Sequence, residues 1–171
     1  MTKDLPFPVL EWHPDSGSEF INWHCKGWCD EHGYRLTRSR PNRKNDNCFV
    51  EERNGHVVRE WVGHLRLDAR ETVAALNAVY NVLTPYLNHF ITNRRIVSKE
   101  RVGAKWRIVR EKVAKTPYQR MLEREDVSPE VKAGLRAEHE RLNPLILKHE
   151  IDRRIINMNI VQKRHAPAEG K

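Results

Sequence analysis

Phe7-Pro8-Val9-Leu10-Glu11-Trp12-His13-Pro14-Asp15-Ser16-Gly17-Ser18-Glu19-Phe20 passes from an apolar run to a polar turn and then to a helix-starting pattern. The run Phe7–Trp12 reads as a strand, and His13-Pro14-Asp15-Ser16-Gly17 as the turn that ends it. Ser16 or Ser18 can cap the helix that follows, and Glu19 stands at capping-box distance from Ser16. Ile21, Cys25, Trp28, Cys29 and His32 then recur at helical intervals, and Gly33 supplies the stop. Tyr34 to Arg40 alternates with a period of two, so a second strand is expected there.

Ser39-Arg40-Pro41-Asn42-Arg43-Lys44-Asn45-Asp46 is polar, basic and broken by proline, hence a loop. Asn45 or Asp46 can cap a helix running to about Leu65, with Val50, Val57, Val58, Trp61, Val62 and Leu65 on its apolar side. Asp68 and Glu71 open another helix, whose Val73, Leu76, Tyr80, Leu83, Leu87 and Phe90 keep alternating spacings of three and four. Pro85 inside it removes a hydrogen bond and bends it. Between Arg94 and Lys115 nine cations face only Glu100 and Glu111, and a hairpin about Gly103 is expected from Val97–Val102 and Lys105–Val109. Thr116-Pro117, Ser128-Pro129 and Asn143-Pro144 each place proline behind a capping residue and announce three more helices. Leu147, Ile151 and Ile155 are spaced as the packed face of the last. Beyond about Ile160 the polar tail reads as disordered.

The parts occur in the order strand, carboxylate, helix, strand, basic loop, carboxylate. In that order Pro14-Asp15-Ser16-Gly17-Ser18-Glu19-Phe20 resembles the segment around the second catalytic aspartate of integrase-core (DDE) insertion-sequence transposases and retroviral integrases. Thr37-Arg38-Ser39-Arg40-Pro41 and Lys44-Asn45-Asp46-Asn47-Cys48-Phe49-Val50-Glu51 resemble the basic loop and helix that bring in that family's catalytic glutamate. Thirty-five residues separate Asp15 from Glu51, the spacing characteristic of the family. The resemblance is specific from Phe7 to Arg66 and continues more loosely to Phe90 and over Thr116–Arg120. Ser16 stands where the family usually has asparagine. The family's first aspartate lies on a strand several dozen residues upstream of the second, whereas fourteen residues precede Asp15 here.

The resemblance implies an α/β chain: a partial ribonuclease-H-like catalytic core lacking its first strands over residues 1–92, then a basic hairpin and mostly helical extension over 93–160, and a tail over 161–171. It implies Asp15 and Glu51 as ligands of Mg²⁺ or Mn²⁺, since in-line phosphodiester chemistry is served by divalent ions held on carboxylates. Gly55, one turn beyond Glu51, would leave room on that helix face. Arg38, Arg40, Arg43 and Lys44 are the implied contacts to phosphates near the scissile bond, with Arg107 and Arg110 as further DNA contacts. The expected partners are transposon ends, target DNA, and further copies of the chain or a full-length transposase. The chain alone is expected to lack strand-transfer activity and to be poorly soluble through the open edge of its Val9-Leu10 strand. A non-catalytic DNA-binding remnant that associates with or inhibits intact transposase is the alternative.

Bulk properties agree with a polyanionic partner: 31 Lys and Arg against 23 Asp and Glu give a formal charge of +8. Three cysteines are too few for a disulfide framework, no apolar run spans a bilayer, and the N-terminus lacks a signal pattern, so a bacterial cytosolic, nucleoid-associated protein is expected. Cys25, Cys29, His24 and His32 are read as helix core and flank rather than as a zinc site. Trp12, Trp23, Trp28 and Trp61 are read as core aromatics, and His13, His56, His64 and His89 as surface or boundary residues.

Overall fold

The computed structural model describes residues 5, 7–14, 22–38, 40 and 54–165. The chain mixes helix with two small sheets, and it divides into two compact units, Met1–Arg66 and Leu67–Lys171.

In the first unit β1 (Glu11–Trp12) pairs in parallel with β2 (Arg35–Leu36), in register Glu11 to Arg35 and Trp12 to Leu36. A parallel pair needs a crossover, and α1 (Trp23–Glu31) provides it. The cap of α1 is Asn22, whose side-chain oxygen accepts from the Cys25 N–H at 2.8 Å, rather than Ser16 or Ser18, which lie outside the described residues. Gly33 stops the helix as expected: its N–H reaches the Asp30 carbonyl and the Tyr34 N–H reaches the Cys29 carbonyl at 2.9 Å, with Gly33 at φ 69°. Cys29 is fully buried, and burial pushes its thiol pKa up. Trp12 and Tyr34 meet Trp28 edge-on at 5.7 and 5.4 Å. Trp23 departs from the core expectation: it is 84% exposed, because it occupies the first turn of α1 on the side away from Cys29.

α2 (Asn54–Arg59) is π-wound. It ends earlier than expected: Gly63 turns to φ 99° while its N–H still reaches the Val58 carbonyl, so Leu65 lies beyond the helix and is exposed.

In the second unit α3 (Thr72–Phe90), with Pro85 inside it, packs along α6 (Pro144–His165). Val79, Leu83, Ile151 and Met158 are fully buried between them. This pairing places α3 with the C-terminal helices, whereas the sequence groups it with residues 1–92. α6 also overruns the expected start of the tail, because Gln162 is buried against the beginning of α3. Its side-chain oxygen accepts from the Thr72 hydroxyl at 2.7 Å and the Ala69 N–H at 3.3 Å, and its amide donates to Asp68 at 2.8 Å.

α4 (Pro117–Glu123) and α5 (Pro129–Arg141) start as their sequences imply. Thr116 and Gln119 form a reciprocal capping box, Ser128 accepts from Val131, and Asn143 accepts from Leu145 and Ile146 at the head of α6. His89 also departs from the boundary position expected of it: at 5% exposure it is buried, with Nδ1 3.2 Å from Nδ1 of His139 and its ring stacked on Tyr118. It sits on the face of α3 against which α4 and α5 close, a placement that a periodicity of apolar residues does not flag.

β3 (Ile96–Val102) and β4 (Lys105–Arg110) form the antiparallel hairpin expected about Gly103, which takes φ 63° in a two-residue turn. Its neck is closed by paired backbone bonds between Asn93 and Lys115. Arg120 clamps the neck, giving two bonds to Glu111 at 2.8 and 2.6 Å and one to the Asn93 carbonyl at 2.9 Å.

Candidate functional site

In a parallel strand–helix–strand unit, chemistry collects at the carboxyl ends of the strands, where loops emerge and the following helix presents its N–H groups. At that end of the β1–α1–β2 unit lies a cleft of about 380 Å³ lined by Asn22, Trp23, Lys26, Leu36 and Arg38. Arg38, two residues beyond β2, is exposed and reaches this cleft. Lys26, on the first turns of α1, adds a second cation, although its Nζ is engaged by Asp30 at 2.6 Å.

Asp15 directly follows Pro14, which is buried. Asp15 and Glu51 themselves, and with them Arg43 and Lys44, lie outside the described residues. Arg40 is described, exposed and engaged in an interaction of its own. A Cβ added at Gly55 would meet nothing within 4 Å among the described residues. Among the described residues no three His, Cys, Asp or Glu side chains gather as a cation site.

The cleft's strands carry a polar chain that the sequence pattern does not announce. The Thr37 N–H bonds to the Trp12 carbonyl, which sets the Thr37 side chain beside those of Glu11 and His13. The Thr37 hydroxyl donates to Glu11 Oε1 at 2.8 Å, and His13 Nδ1 lies 2.7 Å from the same hydroxyl oxygen. The hydroxyl has one hydrogen, already given to Glu11, so His13 donates through Nδ1–H, and in the neutral ring Nε2 carries the lone pair. Arg35 holds the other Glu11 oxygen from Nε at 2.8 Å and Nη2 at 2.5 Å. The Thr37 hydroxyl, and then Arg35, hold the Glu11 carboxyl below its ordinary pKa. The only trace in the sequence is that His13 and Thr37 each follow a strand by one residue, which matters once the strands are known to be parallel and in register.

Arg107 and Arg110 belong to the second unit, on β4, and both are exposed. The register sets them on opposite faces of the hairpin, since Arg107 stands across from Glu100 and Arg110 across from Ile96. Trp106 and Ile108 are 56% and 46% exposed, because among the described residues the two-stranded ribbon has no layer against which to bury either face.

No helix among the described residues is long and apolar enough to cross a membrane. No family model and no solved structure matches the chain. A relative described as uncharacterized protein y4rM, from Sinorhizobium fredii (strain NBRC 101917 / NGR234), is 41% identical over 101 residues, which are 59% of this chain and 29% of that protein. The chain is thus similar to less than a third of the length of that relative.

Proposed function

We propose that the chain is the C-terminal portion of an integrase-type transposase core, with a partial ribonuclease-H-like first unit. In this reading Asp15 and Glu51 hold Mg²⁺ or Mn²⁺ for phosphodiester cleavage and strand transfer on DNA. The observation that carries the proposal is the parallel β1–α1–β2 unit with its cation-lined cleft at the carboxyl ends, the end at which chain order introduces Asp15.

Carboxylates are the anionic donors that hard divalent cations prefer, and such ions, when bound, activate an attacking oxygen and steady a leaving one. The chain's own residues then have distinct tasks. Arg38 and Arg40, with Arg43 and Lys44 further along the loop, neutralise phosphates flanking the scissile bond. The His13–Thr37–Glu11 chain fixes the exit of β1, and so the backbone from which Asp15 departs. Arg110 adds a DNA contact from the extension. DNA ends, target DNA, and other copies of the chain or a full-length enzyme are the partners of this reading.

Titration of the purified chain with Mn²⁺, read by electron paramagnetic resonance, tests it. Wild type should take up the ion, and D15N and E51Q should each weaken uptake at least tenfold. Equal binding by all three proteins would remove both carboxylates from the proposal. Magnesium-dependent joining of a donor end by the isolated chain would refute the companion expectation that it is inactive alone.

A further inference from the structure

Six side chains make up one face of the β3–β4 ribbon: Ile96, Lys99, Arg101, Trp106, Ile108 and Arg110. Cross-strand partners in the register share a face, and Lys99 Nζ lies 4.9 Å above the Trp106 ring, a diagonal approach on that face. All six are exposed. The face carries three cations and no acid. The opposite face differs: Glu100 stands directly across from Arg107, and Ser98 near the neck is half-buried.

Lysine and arginine on an exposed ribbon can serve simply to deter edge-to-edge aggregation. That role calls for charge of either sign on either face, and it gives no reason to set Trp106, Ile108 and Ile96 in the open beside cations. An apolar and cationic strip without acids instead complements a surface with anions along its edges and apolar sugars between them. Lys99 and Arg101 are two residues apart on one strand, about 7 Å, comparable with successive phosphates along a nucleic-acid strand. Arg110 extends the row toward the neck. There Arg120 braces Glu111 and Asn93, so the ribbon is held at its base.

We propose that this face, through Lys99, Arg101 and Arg110 with Trp106 and Ile108 between them, is a docking surface for the sugar-phosphate backbone of duplex DNA, and that Arg107 on the reverse face is not part of it. The inference shares its partner with the proposed function but rests on the ribbon alone. It separates Arg107 from Arg110, which the sequence grouped together.

The test is fluorescence anisotropy of a labelled duplex with the full chain, in EDTA so that Asp15 and Glu51 contribute nothing through a metal. Removing one phosphate-neutralising cation should lower the slope of log affinity against log salt by about one. K99Q/R101Q/R110Q should therefore lower the slope by about three and bind at least tenfold more weakly at about 0.1 M salt. R107Q should keep a slope within about half a unit of wild type, and K99R/R101K/R110K should keep it too. Two unrelated duplexes of one length should bind within threefold of each other. Equal reductions in slope for R107Q and R110Q would overturn the assignment by showing a diffuse charge effect. No duplex binding by wild type, or a reduced slope in the charge-keeping variant, would overturn it as well. Failure of Mn²⁺ uptake with these results intact would strike only the catalytic reading.

Discussion

Gln162 is the sharpest place to test how the second unit is held, because one buried side chain there serves three partners at the beginning of that unit. Gln162→Met keeps the volume and removes every hydrogen bond. It leaves the Thr72 hydroxyl, 1% exposed, and the Ala69 N–H, on a residue 5% exposed, with no acceptor. A buried donor left unpaired costs about 1–3 kcal/mol. The 3.3 Å bond to Ala69 is the weaker of the two, so a total loss of about 2–4 kcal/mol is expected. Against a usual domain stability of about 5–15 kcal/mol this is a large fraction. Urea unfolding followed by far-ultraviolet circular dichroism reads it as a lower midpoint. Thr72→Val in the same chain should make the second change cheaper, since removing both partners leaves one orphan fewer, and the double variant should fall short of additivity. Gln162→Glu preserves both acceptor roles but sets a carboxylate against Asp68, and should be destabilised at neutral pH. A loss below about 0.5 kcal/mol for Gln162→Met, or strict additivity with Thr72→Val, would refute the view that Gln162 closes the start of α3.

Leu83→Ala, at a fully buried position on α3, should cost about 2–5 kcal/mol in the same assay, and a cost under about 1 kcal/mol would contradict the packing of α3 on α6. Gly33→Ala should cost about 1 kcal/mol in the first unit, because an alanine resists φ 69° even though its Cβ would meet no neighbour. Acid should act in two windows. Burial lowers the His89 pKa, and its neighbour His139 lowers it further while Glu138, 3.7 Å away, opposes. The unfolded chain therefore binds the proton first, so stability is whole above the ordinary histidine value of 6.5 and declines as pH falls below it. Arg120, and then the Arg95 N–H, bring Glu111 from 4.5 to about 2, so its contribution is present above 4.5 and lost as pH falls toward 2. Urea midpoints from about pH 8 to about pH 2.5 should show His89→Gln flattening only the upper window and Glu111→Gln only the lower; the reverse pattern would overturn both assignments.

Punctuation made much of this fold legible. Gly33, Gly103, Thr116-Pro117, Ser128-Pro129 and Asn143-Pro144 each do locally what their chemistry requires, and a local signal survives without knowledge of the partner. What depends on distant chain was hidden. Gln162 looks like the start of a polar tail until α3 arrives beside it. His89 looks like a boundary residue until Tyr118 and His139 cover it. Trp106 and Ile108 are exposed although apolar, because hydrophobicity reports a wish for burial, not the presence of a layer to provide it. At the candidate site, the strand, helix and strand around the cleft could be read in order from Glu11 to Leu36. The His13–Thr37–Glu11 chain could not, since it exists only when two strands lie parallel in one register.

The bonds that Gln162 makes to Ala69, Thr72 and Asp68 join residues 93, 90 and 94 positions apart. During synthesis the apolar side of α3 emerges long before the helix that shields it, and its opening turn stays unfinished until the codon for Gln162 is translated. Nascent chains stalled before residue 162 should accordingly remain sensitive to protease across α3 and be held by chaperones. A truncation that removes Gln162 should act on this unit like a defect at its beginning.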